Sequence, residues 1–219
     1  MSELATRTLV GVALIAVALA ALWLGGVPFW VLASAAALVM YAEWAGLAKA
    51  DRRVTRLGMF TLSVPLAIMS PWAAGPGFFA IGLIAGAAFF VAIAARSGRL
   101  GLGVIYVALP VFALLWLRER PQGLLLTLWA LALVWATDIG AYFAGRAMGG
   151  PKLAPAISPN KTWAGLIGGM AAALVLGLAL MRWAGLPLAL ALASPLLAVC
   201  AQGGDLYESW LKRRAGVKD

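Results

Sequence analysis

Long apolar blocks are the feature that most constrains how this chain of 219 residues can fold. The blocks are about 17 to 24 residues long, which is the length that an α-helix needs to cross the hydrocarbon core of a bilayer. Only 11% of the residues are charged and 64% are hydrophobic, whereas a soluble domain is about a quarter charged. The alternating pattern of a membrane β-barrel is absent. The sequence therefore predicts an all-α, polytopic integral membrane protein.

About eight transmembrane spans are predicted, in a single membrane domain that covers residues 1–219. Glycine, proline and short basic stretches separate the apolar blocks, as expected of turns and loops. The predicted spans cover residues 8–24, 29–47, 57–73, 78–95, 100–117, 123–145, 163–183 and 186–207. A tight turn is expected at Gly25, Gly26 and Pro28, and Pro110 is expected to kink the fifth span.

The distribution of lysine and arginine predicts the orientation of these spans. With the N-terminus inside, all 17 Lys and Arg residues except Arg118, Arg120 and Arg182 fall on the inner side. Basic residues collect in cytoplasmic loops, so both termini are predicted to be cytoplasmic, in the cell (inner) membrane. These loops and anionic lipid headgroups account for the net charge of +9. No nucleic-acid partner is therefore predicted.

The residue types that are missing exclude several kinds of chemistry. The chain has no histidine and one cysteine, Cys200. Histidine zinc sites, Ser-His-Asp triads and imidazole proton relays are therefore excluded, together with a disulfide framework.

Three acids lie in or near the apolar spans: Glu43, Asp138 and Asp205. A carboxylate in the middle of a bilayer costs about 2.5 to 3.5 kcal/mol on insertion scales, so such residues are usually functional or paired. Asp138 and Asp205 are candidates for the active site. Glu43 is near a span end, where an interfacial and a functional role both stay open.

Helical spacing groups further polar residues with these two aspartates. Asp138, Tyr142 and Gly145 share one helix face, although a snorkelling Arg146 and a hydrogen-bonded Tyr142 would explain the same pattern. If the C-terminal stretch is helical, Asp205, Ser209 and Lys212 share a face as well.

The polar loop of residues 149–162 carries two lysines and the donors Ser158, Asn160 and Thr162, just before a helix N-terminus. Such a site suits a phosphate, and an ordinary cytoplasmic loop would also be basic. Aspartates that hold Mg²⁺ beside cations that hold phosphates describe phosphoryl or nucleotidyl transfer to a lipid.

At three segments the sequence resembles the phosphatidate cytidylyltransferase (CDP-diacylglycerol synthase) family. The segments are D-I-G-A-Y-F-A-G-R at 138–146, I-S-P-N-K-T-W-A-G at 157–165 and Q-G-G-D-L-Y-E-S-W-L-K-R at 202–213. The family signature S-x-x-K-R, four residues, then K-D is matched by Ser209, Lys212, Arg213, Lys218 and Asp219. The resemblance implies that CTP and phosphatidate react, with Mg²⁺, to CDP-diacylglycerol and pyrophosphate at the cytoplasmic side of the lipid bilayer.

The resemblance and the spacing together define the predicted site. Its catalytic residues are Asp138, Asp205, Lys212 and Asp219, with Asp205 and Asp219 as metal ligands. Its substrate-binding residues are Tyr142, Ser158, Lys161, Thr162, Ser209 and Arg213. A homodimer is left open as a further partner.

The sequence departs from the family pattern in two ways. Ala164 stands where the family usually has an acid and Asn160 where it often has a lysine. The family also continues after K-D into a segment with a histidine and further aspartates, so the C-terminal part of the family domain is expected to be missing and this chain to be inactive or nearly so. A small cation-coupled transporter and a CTP-dependent polyprenol kinase are the alternative functions.

Overall fold

The computed structural model describes residues 3–216, and the side chains of residues 6–216. In that part of the chain it has eight α-helices and one short antiparallel hairpin, which confirms the predicted all-α class. The elements are α1 (Glu3–Leu24), α2 (Gly26–Leu47), α3 (Arg52–Ile68), α4 (Phe78–Ala94), α5 (Gly98–Arg118), α6 (Gly123–Met148), β1 (Lys152–Ala154), β2 (Ser158–Thr162), α7 (Trp163–Ala184) and α8 (Leu188–Ala215).

Six of the described helices are long and apolar enough to cross a membrane, namely α1, α2 and α5 to α8. The helices α3 and α4 have 17 residues each. At about 1.5 Å per residue such a helix is roughly 25 Å long, which is shorter than the hydrocarbon core of about 30 Å. The protein is therefore a multi-pass membrane protein, whereas the count of eight spans stays a prediction.

The third helix begins and ends earlier than predicted. The sequence placed a span at residues 57–73, but α3 covers Arg52–Ile68. Its start is set by Asp51, whose side chain accepts hydrogen bonds from the backbone N–H groups of Arg53 at 2.7 Å and Val54 at 2.8 Å. This cap allows the helix to begin inside the basic segment that hydropathy assigned to a loop. Pro65 lies in its last turn, where it donates no backbone hydrogen bond to the preceding turn.

Arg118, at the end of α5, ties α5 to the C-terminus of α1. Its Nε donates to the carbonyl oxygen of Leu22 at 2.9 Å and its Nη2 to that of Trp23 at 3.0 Å. The last carbonyls of a helix have no partner inside the helix, so a basic side chain stabilises them. The chain then turns into α2 at Gly25, whose φ of 65° favours glycine, and the predicted tight turn is confirmed there.

Replacing Arg118 with glutamine is expected to lower the free energy of unfolding by about 1 to 2 kcal/mol, because two charge-assisted hydrogen bonds are lost. Thermal unfolding in detergent and amide exchange of the last turn of α1 would measure this loss. Arg120→Gln is the matched control, since this guanidinium lies over the Trp116 ring at 3.8 Å and caps no described helix. Equal destabilisation by both variants would contradict the capping role.

The chain divides into two compact units, Met1–Leu124 and Leu125–Asp219, and the predicted single domain stays a prediction. In the second unit, α6, α7 and α8 pack around a core built on Trp129, Leu133, Ala173 and Ala198. The indole Nε1 of Trp129 donates to Ser194 Oγ at 3.1 Å, which satisfies a polar group in the buried interior. This packing joins α6 to α8 and sets the frame of the polar site.

The loop between α6 and α7 contains a hairpin that the sequence did not predict. Strand β1 pairs with β2 antiparallel, with Lys152 opposite Thr162 and Ala154 opposite Ser158. Pro159 lies within β2, and proline cannot donate to a sheet ladder. Here the two strands are so short that a few backbone bonds suffice, including Trp163 N–H to the Pro151 carbonyl at 3.1 Å. The hairpin brings β2 beside α8.

The last helix is longer than the predicted eighth span. The sequence ended this span at residue 207, but α8 continues to Ala215 and ends at Gly216, whose φ is 75°. Its last turn carries Lys212, Arg213 and Arg214, and cations stabilise a helix C-terminus through the helix dipole. Hydropathy locates only the apolar part of such a helix, whereas the helical face of Asp205, Ser209 and Lys212 that the sequence offered as a possibility lies within α8.

Candidate functional site

An open cavity of about 560 Å³ lies at one end of the second unit. The C-terminal half of α6, strand β2, the first turn of α7 and the polar half of α8 form its walls. Its lining residues are Asp138, Ala141, Tyr142, Gly145, Arg146, Asn160, Lys161, Thr162, Gly165, Leu166, Gln202 and Asp205. Five of the predicted site residues, from three separate sequence segments, therefore meet in one cavity.

The α6 wall presents the face that the sequence predicted. Asp138, Tyr142 and Gly145 all line the cavity, one helical turn apart. Arg146 Nη1 donates to the Tyr142 hydroxyl at 2.8 Å, so the arginine and the tyrosine orient each other. The two readings of this face are thus compatible: the hydrogen-bonded tyrosine and the aspartate both belong to the cavity wall.

An ion pair joins the opposite walls. Lys161 Nζ lies 3.1 Å from Asp205 Oδ2 and 3.5 Å from the backbone oxygen of Gln202. The lysine side chain is 21% exposed and the aspartate side chain 49%, so water still reaches the carboxylate. Since the hairpin carries Lys161 and α8 carries Asp205, this pair depends on the position of the hairpin.

Small residues beside the cavity let α6 and α7 approach closely. A Cβ atom on Gly165 would lie 3.0 Å from the Ala141 carbonyl oxygen, and one on Gly169 would lie 2.9 Å from that of Thr137. Thr162 is 6% exposed and caps α7, accepting a hydrogen bond from Gly165 N–H at 3.0 Å. The predicted substrate-binding residue Thr162 therefore also fixes the start of α7.

The charges in the cavity balance. Two carboxylates, Asp138 and Asp205, face two cations, Arg146 and Lys161. The charge of Asp138 interacts with those of Asp205 and Lys161. Carboxylates are ligands that a divalent cation prefers, and basic side chains suit phosphate oxygens, so the cavity lining contains both kinds of side chain.

Four other predicted site residues lie elsewhere in the described part of the chain. Ser158 is on β2 and Ser209 on α8, but neither lines the cavity. Lys212 Nζ pairs with Glu208 at 3.0 Å, and Arg213 Nε donates to the carbonyl oxygen of Ile157. Asp219, predicted as a catalytic residue and metal ligand, lies outside the described residues. The roles of these residues stay predictions.

Three polar lining residues were not among the predicted site residues: Arg146, Asn160 and Gln202. Gln202 is 6% exposed and stands three residues before Asp205, on the same face of α8. That spacing, within the Q-G-G-D segment, was a signal that could have identified it. Asn160 and Arg146 stand within the other two motif segments. The spacing alone did not show which positions of these segments line the cavity.

The fold and the cavity define the class: a multi-pass membrane helix bundle with an open polar cavity that is lined by acidic and basic side chains. The cytidylyltransferase family model matches residues 5–219. The phosphatidate cytidylyltransferase of Brucella suis is 39% identical over 100% of this chain and 83% of its own length. The chain therefore belongs to the cytidylyltransferase family and is an enzyme of this type, which confirms the resemblance.

The phosphatidate cytidylyltransferases of two other bacteria match shorter parts of the chain. The phosphatidate cytidylyltransferase of Bacillus subtilis is 42% identical over 56% of this chain and 47% of its own length. That of Haemophilus influenzae is 44% identical over 45% of this chain and 36% of its own length.

Proposed function

We propose that this protein transfers the cytidylyl group of CTP to phosphatidate, forming CDP-diacylglycerol and pyrophosphate. Family membership supports this reaction, and the names of the relatives supply the lipid substrate. The observation that carries the proposal is the ion pair of Lys161 and Asp205 in an open polar cavity at the end of a membrane helix bundle. A phosphorylated lipid and a soluble nucleotide must meet at such a place.

The reaction needs positioning and charge neutralisation more than a general base. A phosphate oxygen of phosphatidate attacks the α-phosphorus of CTP and forms a new P–O bond. The bond from the α-phosphorus to the oxygen that bridges to the β-phosphorus breaks, and pyrophosphate leaves. Because the nucleophile is already an anion, no proton has to be removed, and the absence of histidine is compatible with the chemistry.

Each cavity residue has a role in this proposal. Lys161 releases Asp205 when the nucleotide enters, and its Nζ then neutralises a phosphate of CTP. Arg146 adds a second positive charge and keeps the Tyr142 hydroxyl turned towards the cavity. Asp138 and Asp205 then remain available to bind a cation.

The donor set fits Mg²⁺. Among the described residues no group of three or more His, Cys, Asp and Glu side chains could hold a metal ion. Mg²⁺ at nucleotide sites is commonly held by one or two carboxylates together with substrate phosphates, so Asp138 and Asp205 would be sufficient protein ligands. When bound, the ion stabilises the negative charge that develops on the phosphoryl oxygens.

The proposal places the cavity at the cytoplasmic side of the cell (inner) membrane. Arg146, Lys152, Lys161 and the basic end of α8 all belong to the end of the second unit that carries the cavity, and basic residues favour the cytoplasmic side. Ala156→Cys, in a Cys200→Ser background, should react with an impermeant maleimide in inside-out vesicles only. Labelling in right-side-out vesicles would contradict this orientation. The homodimer stays a prediction, for cross-linking in native membranes to test.

The test of the function is CTP-dependent formation of labelled CDP-diacylglycerol by the purified chain in phosphatidate-containing micelles. Turnover that requires Mg²⁺ and is lost with EDTA is expected. Mg²⁺-dependent CTP binding is measured beside it, so that a slow rate is not mistaken for an empty site. Such turnover would overturn the sequence-based expectation that this chain is inactive or nearly so. Absence of both turnover and CTP binding would contradict the proposed function.

Lys161→Met is expected to raise the KM for CTP and to reduce kcat/KM by about 10²-fold, because one charge-assisted phosphate contact is removed. Methionine keeps most of the apolar stem of lysine, so packing against the hairpin is preserved. Lys152→Met is the matched control, since Lys152 is an exposed lysine on the other strand of the same hairpin. Similar losses in both variants would show a general effect of charge and would contradict the specific role of Lys161.

A further inference from the structure

The hairpin is fastened to α8 at two separate points. Lys161, on β2, pairs with Asp205 at 3.1 Å. Arg213, two turns further along α8, donates from Nε to the carbonyl oxygen of Ile157 in the hairpin turn. One contact lies inside the cavity and the other lies outside it.

The three basic residues at the end of α8 have different neighbours. Lys212 pairs with Glu208 at 3.0 Å, and the Arg214 guanidinium lies 5.1 Å from the centre of the Trp210 ring. Arg213 is the one of the three whose described hydrogen bond reaches the hairpin. A sequence pattern treats these three cations alike, whereas the structure separates them by what they touch.

The position of the hairpin depends on such tertiary contacts. Two strands of three and five residues are marginally stable without support from neighbouring elements. Gly149 and Gly150, with φ of 62° and 89°, precede the hairpin, and no neighbouring atom would lie within 4 Å of an added Cβ at either. Ile157 is four residues before Lys161, so a bond to its carbonyl oxygen limits where the lysine side chain can stand.

We propose that Arg213 is a positioning residue, which holds the hairpin turn on α8 and so keeps Lys161 over Asp205. Arg213 then acts through Lys161 and makes no contact with the nucleotide itself. The catalytic consequence of this contact rests on the proposed function, whereas the mechanical role does not. Arginine suits this task because its Nε–H lies in a rigid, planar and permanently charged group.

The mechanical role is tested without any substrate. In Arg213→Ala, amide hydrogen exchange of residues 152–162 is expected to become about three- to tenfold faster than in the unmodified protein, because a charge-assisted bond is lost. Arg214→Ala, which removes the adjacent arginine of the same helix, should leave that exchange unchanged. Unchanged exchange in Arg213→Ala, or equal changes in both variants, would overturn the proposal.

The catalytic consequence is tested by a double-mutant cycle with Lys161→Met. If Arg213 acts through Lys161, Arg213→Ala lowers kcat/KM for CTP in the unmodified protein but has little further effect in the Lys161→Met background. Arg213→Lys, which keeps a donor, should recover part of the loss. Independent, multiplying losses would instead mean that Arg213 contacts the substrate directly, and would overturn the proposal.

Two further outcomes are distinguishable. If Arg213→Ala does not fold, exchange and kinetics of Arg213→Lys provide the same comparison, with a smaller expected effect. If no variant binds or turns over CTP, the proposed function is contradicted, and the exchange measurement alone decides whether Arg213 holds the hairpin.

Discussion

Asp205→Asn is expected to lower the rate of cytidylyl transfer by about 10³-fold, or roughly 4 kcal/mol of transition-state stabilisation. Asparagine has the shape of aspartate without its charge, so it keeps the packing of α8 but cannot pair with Lys161 or hold a divalent cation. Formation of labelled CDP-diacylglycerol measures the rate. A Mg²⁺ titration of CTP binding measures the affinity for CTP, and we expect this affinity not to depend on Mg²⁺ in Asp205→Asn.

The matched control for Asp205→Asn is Glu208→Gln, which removes an acid from the same helix one turn later. Glu208 pairs with Lys212 and does not line the cavity among the described residues. Its replacement is expected to change the rate by less than about threefold, as for other partly exposed ion pairs. Comparable losses in both variants, or metal-dependent CTP binding that persists in Asp205→Asn, would contradict the role assigned to Asp205.

Gly168→Val is expected to lower the free energy of unfolding by about 3 kcal/mol and to remove CTP binding together with it. A Cβ on Gly168 would overlap the Ala144 side chain and would lie 2.8 Å from the carbonyl oxygen of Gly140. Backbone cannot yield as a flexible side chain can, so α6 and α7 must separate. The walls that carry Asp138 and Lys161 then move apart. Thermal unfolding in detergent and CTP binding measure the two effects.

Gly203→Val is the matched control for this substitution. Gly203 is also a helical glycine of the second unit, but nothing lies within 4 Å of the Cβ that would be added there. Both variants carry the small cost of a β-branched residue in a helix, so their difference isolates the close contact of α6 with α7. Equal stability of Gly168→Val and Gly203→Val would contradict the close packing of α6 against α7.

Hydropathy and helical spacing predicted a large part of this protein. The sixth and seventh spans were predicted to begin at residues 123 and 163, and α6 and α7 begin there. The face of Asp138, Tyr142 and Gly145 was predicted from a period of 3.6 residues, and it lines the cavity. These features depend on local chemistry, namely the length of an apolar run and the geometry of one helix, and a sequence carries them directly.

The segments that form the site could also be predicted, because the family pattern associates residues that are far apart in the chain. Asp138, Lys161 and Asp205 stand in three different segments and meet in one cavity. The spacing along one helix could not show which neighbours each member of the C-terminal signature contacts. Arg213 and Lys212 are adjacent in sequence, but they point to different neighbours.

The sequence by itself determined the class of the protein and its membrane setting, because both follow from composition and short-range periodicity, and the family resemblance indicated the residue types of its site. The tertiary structure decided which polar residues share the cavity and which support it from outside. The hairpin is the clearest case: its strands of three and five residues are too short to be recognised locally, and Pro159 lies within the second. Two contacts join it to α8: Lys161 pairs with Asp205, which is 44 residues away in the chain, and Arg213 of α8 donates to the carbonyl oxygen of Ile157, which is 56 residues away.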